Sequence, residues 1–259
     1  MRTGKRFLHG LLIGLSMFIC MTSSPANPAY SQSAYTIIHK FIGGAGDGLS
    51  PYYGGPVLSG STLYGMTPGG GDPTGGVLFK INTDGTGFHI LHNFGFINTD
   101  GTTPRGSLTL SGSTLYGCTP YGGGPVANSV GGTIFRINSD GQGYEILHNF
   151  GGGSNNQCHP YGAPVISGSW LYGMTSSESA GTNYKGEIFA MNTESGDFQV
   201  LYEFGSVPND GAHPYGSLTL SGSRLYGWTY AGGIGGGGVI FSLQTPRSDA
   251  AMMLLLLSE

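Results

Sequence analysis

Charged residues are scarce in this sequence, and basic clusters are missing beyond its first residues. Charged side chains make up 9% of the 259 residues, whereas ordinary domains carry about 25%. No cluster of lysine and arginine follows residue 6, and the formal net charge is −4. Binding to nucleic acid rests on the neutralisation of phosphates by basic side chains, so the composition predicts no nucleic-acid partner.

Glycine, in contrast, is abundant. The chain contains 50 glycines, far above the usual share of about 7%, yet 38% of its residues are hydrophobic and 12% are aromatic. A chain with this much apolar surface can bury a core, which argues against disorder. Many glycines together with periodic aromatics are typical of short strands joined by tight turns.

The N-terminus has the pattern of a signal peptide. Basic residues within the first six positions precede an apolar stretch over 7–21. This stretch has the length of a signal-peptide core and is too short for a comfortable membrane span. Cleavage after Ala26 or Ser33 fits the preference for small residues at the processing site. An uncleaved anchor and lipidation at Cys20 are the alternatives.

These features divide the chain into a signal peptide over 1–33, a repeat region over 34–245 and an unstructured tail over 246–259. The tail has no strand pattern, and its apolar run is too short to span a bilayer. We therefore expect a secreted or cell-surface protein with no membrane span in the mature chain.

One nine-residue phrase occurs four times, as "SGSTLYGMT" at 59–67, "SGSTLYGCT" at 111–119, "SGSWLYGMT" at 167–175 and "SGSRLYGWT" at 221–229. The Leu-Tyr-Gly triplets recur at spacings of 52, 56 and 54 residues. Two further landmarks recur at spacings of 53, 56 and 54, namely Phe41, Phe94, Phe150 and Phe204, and Pro51, Pro104, Pro160 and Pro214. Three landmarks in step indicate a tandem repeat of four units.

One unit contains four predicted strands. In the second unit, "GSLTLSGS" and "TLYGCT" form a hairpin across a Ser-Gly turn. "GTIFRIN" and "YEILHNF" follow as the third and fourth strands, with the turn residues "SDGQG" between them. Four antiparallel strands in a unit of about 50 residues are typical of one blade of a β-propeller.

The fourth unit lacks its last strand, because the pattern stops after "GGVIFSLQ". The segment "YTIIHKF" at 35–41 matches the missing strand and would hide the open edge of the last sheet. We therefore predict an all-β fold, a β-propeller of four blades of four antiparallel strands that is closed by the N-terminal strand. A fragment of a longer repeat array and an open half-ring that forms a homodimer are the alternatives.

The repeat resembles a known family. Its pattern of "LYGxT", a glycine-rich stretch, "G-x-[IL]-F-x-[IM]-N", "[IV]-L-H-x-F-G" and "D-G-x-x-P-x-G-x-L" is similar to the GloVer tandem repeat over about 35–244. The resemblance implies an exported bacterial β-propeller of no established activity, whose relatives carry various surface-sorting signals at their C-termini. The tail of this chain lacks the Pro-Glu-Pro motif, long apolar span and basic cluster of such a signal.

The antiparallel order places two sets of long loops on one face, and such loops usually carry function. Tyrosines in these loops suit sugar rings, which present an apolar face and a rim of hydroxyl groups. A turn fixed by each Pro-Tyr-Gly segment is the structural alternative. The candidate ligand residues are His159, Tyr161, His213, Tyr215, Arg105 and Tyr52.

Neither a metal nor a cofactor is predicted. The equivalent residues Asp47, Asp100, Asn156 and Asp210 could surround a cation, but side-chain bonds that cap Asp-Gly turns explain them without one. The repeated His39, His92 and His148, with Tyr202 in the fourth unit, are interpreted as packing or backbone-bonding residues. Cys118 and Cys158 form an even pair in an exported chain, which permits a disulfide, and two buried free thiols are the alternative.

No catalytic motif is present in the sequence. We therefore favour a binding or scaffold module for a glycan or an extracellular protein over an enzyme. The alternative is a secreted carbohydrate-active hydrolase or lyase with residues carried on the loops.

Overall fold

The structure is a computed structural model that describes residues 35–95, 100–124, 131–150, 158–176 and 184–246. Contacts divide the chain into Met1–Thr36 and a compact unit over Ile37–Glu259, and the fold below is that of the second unit. Its described residues form strands and turns without a helix. The predicted all-β class is confirmed.

The strands follow the sequence repeat in four successive units. The first unit contains β1 (Gly48–Leu49), β2 (Val57–Ser59), β3 (Thr62–Thr67), β4 (Gly69–Gly70), β5 (Val77–Asn82) and β6 (His89–Asn93). The second contains β7 (Gly101–Thr102), β8 (Thr109–Ser111), β9 (Thr114–Thr119), β10 (Tyr121–Gly122), β11 (Thr133–Asn138) and β12 (Glu145–Asn149). The third contains β13 (Val165–Ser167), β14 (Trp170–Thr175), β15 (Glu187–Asn192) and β16 (Phe198–Glu203). The fourth contains β17 (Gly211–Ala212), β18 (Thr219–Ser221), β19 (Arg224–Trp228), β20 (Ala231–Gly232) and β21 (Ile240–Gln244).

Each of the first three units forms one four-stranded antiparallel sheet, in the orders β2-β3-β5-β6, β8-β9-β11-β12 and β13-β14-β15-β16. The Leu-Tyr-Gly strand lies second in each sheet and pairs with the strands on both sides. Its glycine is needed for packing, because a Cβ on Gly65 would lie 2.7 Å from the Phe79 ring. The equivalent phenylalanine covers the equivalent glycine in the other three units, which explains why this glycine recurs in every copy of the phrase.

The core lies between successive sheets. We call front face the side that carries the leucine of the Leu-Tyr-Gly phrase and the phenylalanine of the third strand. The back face carries the tyrosine of the phrase, the residue two positions later and the residue that directly precedes that phenylalanine. The back face of the first sheet, with Tyr64, Met66 and Leu78, packs against the front face of the second, with Leu115 and Phe135. The same arrangement joins the second sheet to the third and the third to the fourth.

The fourth sheet contains the three strands β18, β19 and β21. Residues 35–41, which the sequence assigns to its missing strand, form no strand in this structure. The segment Ile37–Phe41 instead lies on the first sheet, where His39 stacks on Phe88 with ring centroids 4.1 Å apart. Phe41 meets Phe79 edge to face at 5.2 Å. The predicted closure by the N-terminal strand is therefore not formed here.

Short ladders tie the long loops of each unit together. β1 pairs with β4, β7 with β10 and β17 with β20, and the third unit has a bridge between His159 and Ser176 at the same place. The loop that precedes each sheet is thus joined to the loop that follows its Leu-Tyr-Gly strand. The described parts of both sets of loops lie at one end of the sheets, as the antiparallel order predicts.

Candidate functional site

The segments just before β2, β8, β13 and β18 approach each other through glycine. A Cβ on Gly54 would lie 2.7 Å from the Ser107 nitrogen, and a Cβ on Gly106 would lie 2.7 Å from the Tyr161 oxygen. A Cβ on Gly162 would lie still closer to the next unit, 2.1 Å from the Gly216 oxygen. Only glycine permits this approach of two backbones, so the units are held together along one inner edge.

The residue before each of these glycines lines a cleft at this inner edge. The cleft has a volume of about 430 Å³ and receives residues from all four units. Its lining residues are Tyr53, Gly54, Arg105, Gly106, Ser107, Tyr161, Gly162, Tyr215, Gly216 and Ser217. Small-molecule sites commonly have volumes of about 300–1,000 Å³, so the cleft can hold a ligand of that size.

Arg105 lies at the centre of an aromatic group. Its guanidinium carbon lies 5.2 Å from the centroid of Tyr53, 5.2 Å from that of Tyr121 and 5.5 Å from that of Tyr161. These distances are within the range of cation–π attraction. Tyr161 in turn meets Tyr215 edge to face at 5.1 Å, so one cation and a row of tyrosines form a continuous surface.

The cleft has a positive electrostatic character. Arg105 is the one charged side chain among the described residues that line the cleft. None of the other described lining residues is Asp, Glu, Lys or His. Ser107 and Ser217 line it as well, and their hydroxyl oxygens accept hydrogen bonds from Gly55 at 2.8 Å and Ala163 at 2.9 Å. Each hydroxyl keeps its own proton for donation to a ligand. The arrangement suits a ligand that carries hydroxyl groups and a negative charge.

The structure brings together three of the six predicted ligand residues, Arg105, Tyr161 and Tyr215. Tyr161 is buried, whereas Tyr215 is 40% exposed. Tyr52 does not line the cleft, and its ring lies 4.1 Å from that of Tyr53, which takes the predicted place. The sequence pattern points to Tyr52 and not to Tyr53, because "PYYGGP" contains one extra residue. Tyr52 follows the proline, as Tyr161 and Tyr215 do, but Tyr53 precedes the glycine. The spacing of Gly54, Gly106, Gly162 and Gly216, which equals that of the Leu-Tyr-Gly triplets, is the signal that identifies it.

The two predicted histidines lie beside the cleft and do not line it. His159 is buried, and its Nδ1 lies 2.6 Å from the Pro120 carbonyl oxygen. His213 has a backbone φ of 56°, which is a strained conformation for a residue with a side chain. Its amide donates to the Lys185 carbonyl at 2.8 Å. These contacts give both histidines a part in holding the loops together.

The repeated aspartates cap turns. Asp210 accepts hydrogen bonds from the Gly205 and Gly211 amides and from the Tyr202 hydroxyl, each at 2.7 Å. Asp47 is similarly bound by backbone amides and by His39. Burial alone would raise the pKa of both carboxyl groups, but these hydrogen bonds lower it below the usual value. Within the described residues no cluster of metal-ligating side chains occurs, and Asn156 lies outside them.

Cys118 and Cys158 are both present as free, buried thiols, so the disulfide that the sequence permits is not formed in this structure. Both belong to the core between the second and third sheets. Burial raises the pKa of Cys118 to about 12 and that of Cys158 to about 11. Cys158 also takes part in hydrogen bonds with Tyr184 and Thr175, which orient it as a packed core thiol.

One pair of carboxylates stands apart from the cleft. Glu187 and Glu203 are direct partners across β15 and β16. Burial, followed by the charge of Glu203, raises the pKa of Glu187. Two neighbouring carboxyl groups with one raised pKa are a feature of acid–base sites.

Comparison with known proteins gives one family match. A profile described as "Gloeobacter/Verrucomicrobia repeat" matches residues 27–241. Comparison with curated protein sequences gives no match. No helix in the described part of the chain is both long enough and apolar enough to cross a membrane.

Several solved structures have similar chains. A nidogen/laminin complex is 17% identical, with a TM-score of 0.48 over 74% of this chain and 60% of that chain. TolB from Acinetobacter baumannii is 12% identical, with a TM-score of 0.47 over 82% and 43%. A GH74 enzyme from Niastella koreensis is 18% identical, with a TM-score of 0.44 over 73% and 27%. The chain thus spans 60% or less of each of these proteins.

Proposed function

We propose that this chain, which belongs to the Gloeobacter/Verrucomicrobia repeat family, is an exported binding module of the propeller type whose ligand is a carbohydrate. The observation that carries the proposal is the cleft at the inner edge of the four units, where Arg105 lies among tyrosine rings. Membership of the family confirms the resemblance seen in the repeat, and it extends over most of the chain.

The tyrosines supply the surface for sugar rings. Tyr53 and Tyr215, which are 39% and 40% exposed, offer ring surface and hydroxyl groups, and Tyr161 lies buried against Tyr215. A sugar ring has one apolar face that packs on such a surface and hydroxyl groups that bond at its rim. By analogy with aromatic pairs, each stacked ring contributes about 1 kcal/mol beyond the burial of its area, so several rings are needed for useful affinity.

Arg105 supplies the selectivity. A guanidinium group forms paired, charge-assisted hydrogen bonds with a carboxylate, and these are about twice as strong as neutral ones. We therefore infer that the preferred ligand carries a carboxylate, as uronic acid sugars do.

The rigidity of the cleft favours binding. The backbone that carries its lining side chains is held by close glycine contacts and by the Ser107 and Ser217 hydrogen bonds. A site that is already ordered loses little conformational freedom when the ligand binds. The aromatic row therefore does not have to be assembled by the ligand.

A secreted carbohydrate-active enzyme is the second candidate, and the Glu187–Glu203 pair is the observation that favours it. Glycoside hydrolysis uses two carboxyl groups about 5–10 Å apart, one of which has a raised pKa. The pair does not line the cleft, so the two proposals predict different ligand sites. Release of reducing sugar that is lost in Glu187→Gln would support the enzyme.

Export is part of the proposal. The basic and apolar pattern before residue 34 supports a signal peptide over 1–33, followed by the repeat region over 34–245 and the tail over 246–259. Mass spectrometry of protein recovered from the culture medium of an expressing bacterium tests this division. A mature N-terminus after Ala26 or Ser33 supports it, and retention of Met1 in recovered protein contradicts it.

A glycan array with the purified protein tests the function. We expect signals on glycans that contain uronic acids and weaker signals on their neutral counterparts. Binding to neutral glycans alone would contradict the role of Arg105. The absence of signal on every glycan, together with capture of an extracellular protein, would replace the carbohydrate by a protein partner.

A further inference from the structure

The back face of the fourth sheet lacks the cover that its counterparts have. At its three defining positions, Tyr226 is 41%, Trp228 is 63% and Ile240 is 84% exposed. The equivalent residues of the other three sheets are at most 8% exposed, and they are Tyr64, Met66, Leu78, Tyr116, Cys118, Ile134, Tyr172, Met174 and Ile188. The fourth sheet thus presents a core surface to solvent.

The chain itself shows what covers such a face. Each back face that is buried lies against the front face of the next unit. Among the described residues, no other sheet packs on the front face of the first sheet. Ile38 and Phe41 lie on it instead, and they leave an apolar cavity of about 190 Å³ beside Leu63 and Phe79.

The segment Ile37–Phe41 already has the contacts of an outer strand. His92, on the outer strand β6, stacks on Tyr144 of the next unit at 3.6 Å, and His148 on β12 stacks on Phe198 at 3.9 Å. His39 stacks on Phe88 of the first unit in the same manner, at 4.1 Å. Relative to the first sheet, the segment Ile37–Phe41 therefore occupies the position that β6 occupies relative to the second sheet.

The nearest contacts of Gly216 differ from those of its equivalents in the other units. A Cβ on Gly54, Gly106 or Gly162 would contact the backbone of the next unit, whereas one on Gly216 would first meet Trp228 of its own unit, with the indole nitrogen at 2.8 Å. The close step from one unit to the next is therefore seen three times among the described residues, and the atoms nearest to Gly216 belong to its own unit. Among the described residues, β21 pairs with β19 alone, so its other edge is open.

We propose that a second copy of this chain docks head to tail on the fourth sheet. Its front face covers Tyr226, Trp228 and Ile240, and its Ile37–Phe41 segment adds to the edge of β21 as the fourth strand. Strand addition of this kind is a common mode of association, and it removes an open edge that would otherwise pair without specificity. The pairing of Leu78 with His92 in the first sheet predicts Ile240 of one copy opposite His39 of the other.

A matched pair of variants tests this contact by sedimentation of the purified protein. Ile240→Asp places a charge on the exposed back face, whereas Ile234→Asp places the same charge on a loop residue that is 91% exposed. We expect the unmodified protein and Ile234→Asp to sediment as two or more chains at micromolar concentration, and Ile240→Asp as one chain. Assembly retained in Ile240→Asp, or a single chain for the unmodified protein, would overturn the proposal.

Complementation distinguishes a head-to-tail contact from a symmetrical one. Phe41→Asp damages the front surface and Ile240→Asp the back surface, so each variant alone should be monomeric. A mixture still contains one intact front and one intact back, and it should form dimers. If Phe41→Asp fails to fold, as judged by thermal unfolding, Ile38→Asp takes its place. A mixture that stays monomeric contradicts the contact.

Trp228 provides a direct signal. In a Trp170→Phe variant its emission should shift to shorter wavelength as the concentration rises, because the indole leaves water when a second copy docks. An emission that is already shifted in a single chain and independent of concentration would show that the chain covers its own fourth sheet, which would refute the second copy.

Discussion

The ring of His92 lies parallel to the ring of Tyr144, with centroids 3.6 Å apart, and both side chains bind the carboxylate of Asp100. The Tyr144 hydroxyl donates to one oxygen at 2.6 Å, and His92 Nε2 lies 2.9 Å from the other. His92 and Tyr144 belong to successive units, so this buried carboxylate fastens the outer part of the first unit to the second. Two backbone amides complete its hydrogen bonds.

Loss of the Tyr144 hydroxyl should therefore destabilise the fold. Asp100 is 2% exposed, and hydrogen bonds to charged groups contribute about 1.5–3 kcal/mol. We expect Tyr144→Phe to lower the free energy of unfolding by roughly this amount in chemical denaturation. Tyr35→Phe, at a position that is 81% exposed, is the control. Equal stability of the two variants would mean that the carboxylate does not fasten the units.

The repeated glycine of the Leu-Tyr-Gly phrase should not tolerate a methyl group. A Cβ on Gly117 would lie 2.5 Å from the Phe135 ring, whereas one on Gly46 would meet nothing within 4 Å. Overpacking of a core costs about 1–3 kcal/mol, so Gly117→Ala should lower the melting temperature by several degrees while Gly46→Ala should not. A neutral Gly117→Ala would contradict the packing that explains the repeat.

Acid should weaken the fold through Asp47 and Asp210. Hydrogen bonds hold the pKa of both groups below the usual value in the folded chain. Such groups stabilise the fold above their unfolded pKa of about 4, and this contribution is lost as the pH falls through the lower folded pKa. Asp210→Asn should reduce the loss of stability between neutral and acidic pH. The pH dependence of the unmodified protein is the reference, and an identical profile in Asp210→Asn would exclude the turn-capping role.

The thiols should react only after unfolding. Cys118 is 2% and Cys158 6% exposed, and burial raises both pKa values well above neutrality. We expect iodoacetamide to leave both residues unmodified in the native protein and to alkylate both in denaturant without reductant. Peptide mass spectrometry that recovers the two cysteines linked to each other would establish the disulfide instead.

Much of the fold could be predicted from the sequence because the repeat constrains it. Three landmarks in step fix the unit, and the alternation around Leu115 and Tyr116 fixes which side chains face the neighbouring sheets. The position of 35–41 could not be derived in this way. The match of "YTIIHKF" to an outer strand identifies its type, but His39 and Phe41 satisfy their contacts on the first sheet alone.

The site was less predictable than the fold. Arg105 stood out because it replaces tyrosine in a repeated position, and it does lie in the cleft. His159 stood out for the same reason, yet it packs against the Pro120 carbonyl and Tyr121 in a buried loop contact. A residue that departs from the repeat can therefore belong to a ligand site, as Arg105 does, or to a local packing contact, as His159 does.

Calorimetric titration of Arg105→Gln tests the proposed function most directly. The ligands are an oligomer of galacturonic acid and the matched oligomer of galactose, which lacks the carboxylates. We expect the acidic oligomer to bind the unmodified protein and the exposed control Arg224→Gln equally, and to bind Arg105→Gln at least about tenfold more weakly, or about 1.4 kcal/mol. The neutral oligomer should bind all three alike. Equal affinity of the acidic oligomer for Arg105→Gln and the unmodified protein would contradict the account.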